Sequence, residues 1–264
     1  MTVFDAHGKV ILLGEHAVVY GKPAIAMAIK PRVFVTVRKS RNPTRPKSPY
    51  ISECFKVMGV RGSVYVRSQL QSSSGLGSSA AVTVATLSAI NDEFDLGHPR
   101  EYIAETAFAI EKKVQKGRAS PTDTYVSANG GMVMITGESK RRLPPENLHL
   151  VVGNTMVPHS TAKMVEQVAN LRQHHPAIAN PILDAIGELT LAAIHEMSNP
   201  KELGQYMDMN HALLEALGVG HPASSRLVLA ARASGAYGAK ITGAGGGGSI
   251  IALCPRRAKN RVAG

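Results

Sequence analysis

LQSSSGLGSSAAVTV, residues 70–84, is the stretch from which the rest of the chain is read. Its serines and glycines run into a pattern in which Ala80, Val84, Leu87, Asn91 and Phe94 recur at three- and four-residue steps, so the loop empties onto a helix N-terminus. The first N–H groups of a helix have no internal partner, and the macrodipole adds partial positive charge there. Glycine lets the main chain approach an anion with no side chain in between. Ser78 and Ser79 add hydroxyls that can cap the helix or ligate a magnesium ion. A Walker loop needs GxxxxGK followed by Ser or Thr, and a dinucleotide fingerprint needs GxGxxG with an acidic residue downstream. GLGSSAA has no lysine after its glycines. A flexible serine-rich turn ahead of a capped helix uses the same residues, so the other segments of the chain decide its meaning.

Upstream, Val64 and Val66 alternate with Tyr65 and Arg67 in a strand that feeds the loop. Before it, RKSRNPTRPKSP (38–49) is basic, proline-rich and without periodicity, hence an exposed connection. Residues 2–40 are strand-rich: Val10–Leu13 and Ala24–Ile29 are apolar runs, and Val33, Val35 and Val37 alternate with Phe34, Thr36 and Arg38. Between the first two runs lies GEHAVVYGKPA (14–24), which delivers Glu15 and His16 into an apolar setting. Buried charges persist only when paired or bound, and the alternative for this pair is a surface turn.

Downstream, Pro99–Gln115 forms a second helix with Ile103, Ala107, Ile110 and Val114 on its core stripe. Glu111 shares the neighbouring stripe with Ala104, Phe108 and Gln115, a poor place for contact with water. It faces either a buried polar partner such as a metal ion, or Lys112 or Lys113 on the helix surface. In KGRASPTDTYVSANGGMVMI (116–135), Pro121 holds a tight turn with Asp123 just beyond it, and a strand resumes around Met132. Asp123 either caps that turn or stands as a fixed carboxylate at the mouth of the phosphate loop. After Pro144 and Pro145 come a strand at Leu148–Val152 and helical patterns near 160–174, 180–197, 201–217 and 223–235. Ala239–Ile241 then leads into a glycine turn, TGAGGGG (242–248), bare enough for its backbone to touch a ligand.

A chain of 264 residues with 44% apolar content holds one large domain or two ordinary ones and is not disordered. Its net charge of +11 suits an anionic ligand. Nucleic acid is disfavoured as that ligand: no RNA- or zinc-binding motif is present, aromatics are 5%, and the basic residues are dispersed beyond 38–47. Cys54 and Cys254 have no metal-ligand spacing and make no disulfide framework, which points to a reducing cytoplasm. No apolar run of membrane-spanning length and no signal-peptide pattern occurs, so a soluble intracellular protein is expected.

Four segments in order, GKVILLGEHAVVYGKPA (8–24), SGLGSSAAV (74–82), SPTDTYVSANGG (120–131) and KITGAGGGG (240–248), resemble the GHMP-superfamily small-molecule kinases, and among them the mevalonate kinases. The resemblance implies an α+β, two-domain GHMP-kinase fold. Residues 1–146 would form an N-terminal ATP-binding domain, a ribosomal-protein-S5-like α/β half, and 147–264 a C-terminal ferredoxin-like α/β half. It implies ATP-dependent phosphorylation of the primary hydroxyl of mevalonate to 5-phosphomevalonate, with ATP as co-substrate and Mg2+. By position, Lys9 would lie beside the acceptor hydroxyl and the γ-phosphate, and Asp123 would be the catalytic aspartate. Ser68, Ser73, Ser74, Gly75, Leu76, Gly77, Ser78 and Ser79 match nucleotide contacts, with Ser79 and Glu111 as magnesium ligands. Glu15, His16, Thr161 and Ala244 fall where the family lines its mevalonate pocket. A homodimer without nucleic-acid or membrane partners is expected.

The sequence also departs from the family. His7 stands where Ala-Pro-Gly-Lys has proline, and Gln71 and Ser73 stand where the loop usually opens with proline and glycine, which should loosen its entry. One residue more than usual separates Glu111 from Asp123. The chain ends at Gly264, where relatives continue through a further helix and strand, so it is either truncated or finished differently at that edge. The rival within the fold is a mevalonate 3-kinase or diphosphomevalonate decarboxylase, against which GEHAVVYG argues.

Overall fold

The amino-terminal apolar runs fuse into two long strands, β1 (Phe4–Leu13) and β2 (Ala24–Lys39), with a 3-10 turn at Ala17–Tyr20 between them. These elements come from a computed structural model that describes residues 2–44, 46–71, 74–117, 119–158 and 160–264. Part of the stretch read as an exposed loop is regular. β2 runs on to Lys39, and Ser48 accepts the Ile51 N–H at 3.5 Å to open helix α1 (Pro49–Val57). Pro49 fits its first turn, where no N–H is needed, and Ile51, Cys54 and Phe55 are its buried face. Strand β3 (Gly62–Ser68) follows, then helices α2 (Ser78–Glu93) and α3 (Arg100–Val114). Pro121 does not close a tight turn as the sequence suggested. It opens helix α4 (Pro121–Asn129), with Ser120 Oγ accepting the Thr122 N–H at 3.2 Å. Asp123 therefore lies in a first helical turn, where the dipole favours a carboxylate.

Strand β4 (Met132–Thr136) is joined to β5 (Ser139–Leu143), whose SKRRL sequence has no apolar alternation and gives no strand signal. The strand expected at 148–152 is β6 (Leu150–Asn154). Helices α5 (Thr161–His174), α6 (Pro176–His195), α7 (Pro200–Ala216) and α8 (Pro222–Ala233) follow the predicted patterns. Strands β7 (Gly238–Ile241) and β8 (Ser249–Leu253) flank the glycine turn, and a short helix α9 (Lys259–Ala263) follows.

Two compact units interleave along the chain. The first takes residues 1–9, 28–72 and 76–131. In it Val33–Lys39 of β2 pairs antiparallel with β3, Val33 opposite Ser68 and Lys39 opposite Gly62. Helices α2, α3 and α4 pack on one another, and α1 packs on α2 and α3, burying Val84, Leu87, Ile90, Ile103, Ala107 and Ile110. The second takes 10–27, 73–75 and 132–264. There Ala24–Met27 pairs with β4, β4 pairs with β5, and a separate antiparallel sheet runs β6-β8-β7. Its core joins Leu183 and Ile186 of α6, Leu214 of α7 and Val228 of α8 to Ile241 and Ile250 of the sheet. Pro31 falls between the stretches of β2 paired with β4 and with β3, so neither ladder loses a bond to its missing N–H. The mixed α+β architecture agrees with the sequence reading.

Candidate active site

In the first unit, β1 carries Lys9 and α4 carries Asp123, and their charged groups meet at 3.1 Å. The lysine side chain is 4% exposed and the aspartate 30%, so one face of the carboxylate remains open to a ligand. The Lys9 N–H donates to the Leu76 carbonyl at 2.9 Å, tying the strand to the glycine loop. Gly77 occupies the N-cap position of α2 at φ +71, without a side-chain cap, so neither Ser78 nor Ser79 caps the helix. A Cβ at Gly77 would stand 2.9 Å from Lys9 Cγ, so the turn is bare because the lysine stem runs against it. His7, in place of the family proline, shares a hydrogen bond of 3.1 Å with the Ile29 carbonyl.

The hydroxyl of Ser79 is turned instead to Glu111, donating to Oε2 at 2.9 Å. Thr83 donates to Oε1 at 3.2 Å and Gln115 to Oε2 at 2.5 Å, around a glutamate that is 3% exposed. Burial is the main reason its pKa is raised to about 7, the hydroxyl and amide bonds oppose that rise, and the charge of Asp123 adds to it. The surface-lysine alternative does not hold: Lys113 pairs with Glu53, and among the described residues no Lys or Arg forms an ion pair with Glu111. Tyr50, in the first turn of α1, stands near Gln115 and Ser79, and burial pushes its phenol up. Among the described residues no group of three or more His, Cys, Asp or Glu side chains is arranged to hold a metal ion. One hydroxyl and one carboxylate are both hard oxygen donors of the kind that suits a magnesium ion, which would need further oxygen donors.

Of the remaining nucleotide residues, Ser68 is exposed at the end of β3, where its Oγ donates to the Leu70 carbonyl at 2.9 Å and accepts the Leu70 N–H at 3.0 Å. Leu76 is buried. Ser74 and Gly75 belong to the second unit, Ser74 buried and Gly75 beside Gly243 of the glycine turn. Ser73 lies outside the described residues.

Also in the second unit, Glu15 and His16 are buried, at 1% and 6% exposure, which removes the surface-turn alternative. His16 takes a left-handed backbone, φ +61, and its Nε2 donates to the Ala244 carbonyl at 2.9 Å. Burial lowers its pKa, so the ring is held neutral. Glu15 is ion-paired with Lys240 of β7, which is fully buried. Thr161 is exposed in the first turn of α5, the helix whose Met164 packs on Gly246 of the glycine turn. The structure thus joins Lys9 to Asp123, Ser79 to Glu111 and His16 to Ala244.

Residues 49–131 match the GHMP kinases N terminal domain and residues 190–263 the GHMP kinases C terminal family. Mevalonate kinase of Methanothermobacter thermautotrophicus is 39% identical over 95% of this chain and 89% of its own length. The chain belongs to the mevalonate kinase family. Among solved structures, the mevalonate kinase of Methanococcus jannaschii superposes with a TM-score of 0.87 at 25% identity, covering 99% of this chain and 93% of that one. The L. major mevalonate kinase in complex with R-mevalonate shares the fold at a TM-score of 0.88 and 24% identity, over 99% of this chain and 90% of that one. Around the mevalonate-kinase segments, sequence reasoning missed Tyr50, Thr83 and Lys240. The Ser48-Pro49 start signal could have placed Tyr50 on a helix, and Thr83 lies one turn after Ser79, but no local pattern singles out Lys240.

Proposed function

We propose that this chain transfers the γ-phosphoryl group of ATP to the primary hydroxyl of mevalonate, giving ADP and 5-phosphomevalonate for isoprenoid biosynthesis. The observation that carries the reading is the Lys9–Asp123 pair at 3.1 Å, set against the glycine turn that opens α2. Phosphoryl transfer asks a protein for positioning and charge stabilisation, because the transition state is loose and its charge is spread over oxygens.

Asp123 aims the acceptor hydroxyl and takes its proton as the oxygen–phosphorus bond forms and the bond from the γ-phosphorus to the bridging oxygen breaks. A carboxylate is a far weaker base than an alkoxide, so the proton moves late and aiming matters as much as basicity. The Lys9 ammonium offsets charge on the transferring group. Main-chain N–H groups of the loop and of the start of α2 are proposed to hold the nucleotide phosphates, and Ser68 and Ser73 are proposed as further nucleotide contacts. Ser79 and Glu111 are the proposed magnesium ligands, and Mg2+ held there would supply positive charge to the nucleotide phosphates. Glu15, His16, Thr161 and Ala244 are proposed to line the mevalonate pocket. A division into domains at 146/147, a homodimeric assembly and a cytoplasmic location complete the proposal.

The test is an ADP-release assay of the purified chain with mevalonate, homoserine and galactose in parallel, followed by 31P NMR of the product. Turnover with mevalonate and a 5-phosphate product are expected. A 3-phosphate, decarboxylation, or preference for another acceptor overturns the reading.

A further inference from the structure

Lys240 is fully buried in β7, and its ammonium donates to the Glu15 carboxylate and, at 2.6 Å, to the Ile241 carbonyl. Two residues of the glycine turn that follows β7 bond the same neighbouring stretch of chain. Thr242 Oγ1 accepts the Ile11 N–H at 2.9 Å and donates to the Ile11 carbonyl at 3.0 Å. Two residues further, the Ala244 carbonyl accepts from His16. Positions 240, 242 and 244 therefore grip β1 and the turn after it at three points, while Asn210 Oδ1 of α7 accepts the Gly14 N–H at 3.4 Å. All of these residues lie within the second unit.

A buried ion pair contributes little net stability compared with an apolar pair of the same volume, because desolvating both charges offsets their attraction. What such a pair supplies is a fixed direction and local neutrality. Both matter here on the proposed function, because the acceptor is itself a carboxylate and an unpaired Glu15 would repel it. His16 donates through Nε2, so its neutral ring leaves Nδ1 as an acceptor for a substrate hydroxyl.

We infer that Lys240 is a positioning residue for the acceptor site: its buried ammonium fixes and neutralises the Glu15 carboxylate and, through the adjoining backbone, holds His16 in the orientation that selects the acceptor. The inference rests on the proposed function, and failure of the two is distinguishable. An inactive wild-type chain refutes the function, whereas an active wild type with unaffected variants refutes only the role of Lys240.

The experiment is a double-mutant cycle in the full chain with Lys240→Met, Glu15→Gln and both together. Mevalonate KM, ATP affinity by calorimetry and thermal unfolding are the readouts. Each single variant should raise the mevalonate KM tenfold or more, leave ATP affinity within twofold, and show no further rise in the double variant, because Lys240 acts through Glu15. Lys240→Gln, which keeps a donor beside Glu15, should give a smaller rise and stands in if Lys240→Met does not fold. A folded Lys240 variant with a wild-type mevalonate KM, or additive rises in the double variant, overturns the inference.

Discussion

Replacing Gly77 by alanine perturbs the point where the phosphate loop meets Lys9. Two costs can be worked out. The residue sits at φ +71, and a left-handed backbone costs an L-residue about 1–2 kcal/mol. The new Cβ would also lie 2.9 Å from Lys9 Cγ and 3.3 Å from Cε, inside normal carbon contact, and overpacking of this kind costs about 1–3 kcal/mol. Together these give a loss of about 2–5 kcal/mol in stability. Because the stem of Lys9 must shift, its 3.1 Å contact with Asp123 shifts with it, and a displacement of about 1 Å at a reacting centre costs on the order of 100-fold in rate. Gly77→Ala should therefore lower kcat about 10- to 100-fold, measured by ADP release well below its melting temperature. Gly97→Ala is the control. It has φ +68 and nothing within 4 Å of the added Cβ, so it should lose about 1–2 kcal/mol with kcat unchanged. A destabilised Gly77→Ala with a kcat within threefold of wild type would show that the path of the Lys9 stem does not set the rate.

Two further outcomes are expected. Glu111→Gln should raise the magnesium requirement more than the mevalonate requirement, and a selective loss of mevalonate affinity would move Glu111 to the acceptor site. Burial holds His211 neutral and lowers its pKa to about 4 from 6.5; Glu215 opposes the shift, while Lys240 and Arg232 add to it. The unfolded chain takes up this proton first, so the stabilisation is complete above pH 6.5 and is lost as pH falls towards 4, on the order of 3 kcal/mol. Urea unfolding at pH 7 and pH 4.5 should show a drop that His211→Gln reduces, and an equal drop in both proteins contradicts the assignment.

How far the sequence carried depended on whether the signal was local. The α2 helix, its glycine loop and the helices from α5 to α8 were readable, because apolar residues at three- and four-residue steps and glycines at fixed offsets are local patterns. Helix α1 was overlooked because its start lies inside a basic, proline-rich run, although Ser48 and Pro49 are start signals. Pro121 reads as a turn former in sequence but serves as the first residue of α4, where its missing N–H costs nothing. Strand β5 lacks alternation because all but its last residue are exposed. Lys240 could not be found, since a lysine between apolar residues acquires its meaning only from Glu15, far away in the chain. Glu111 was ambiguous for the same reason: periodicity gave its stripe, but only the fold supplied Ser79, Thr83 and Gln115 as its neighbours.

The role of Asp123 in phosphoryl transfer is tested by Asp123→Asn, which keeps the side chain's shape while removing its charge and its capacity to take a proton. Turnover with mevalonate and ATP affinity are measured on the same preparation. Nucleotide binding near wild type and a fall in kcat of orders of magnitude are expected. Near-normal turnover by a correctly folded Asp123→Asn protein would contradict that role.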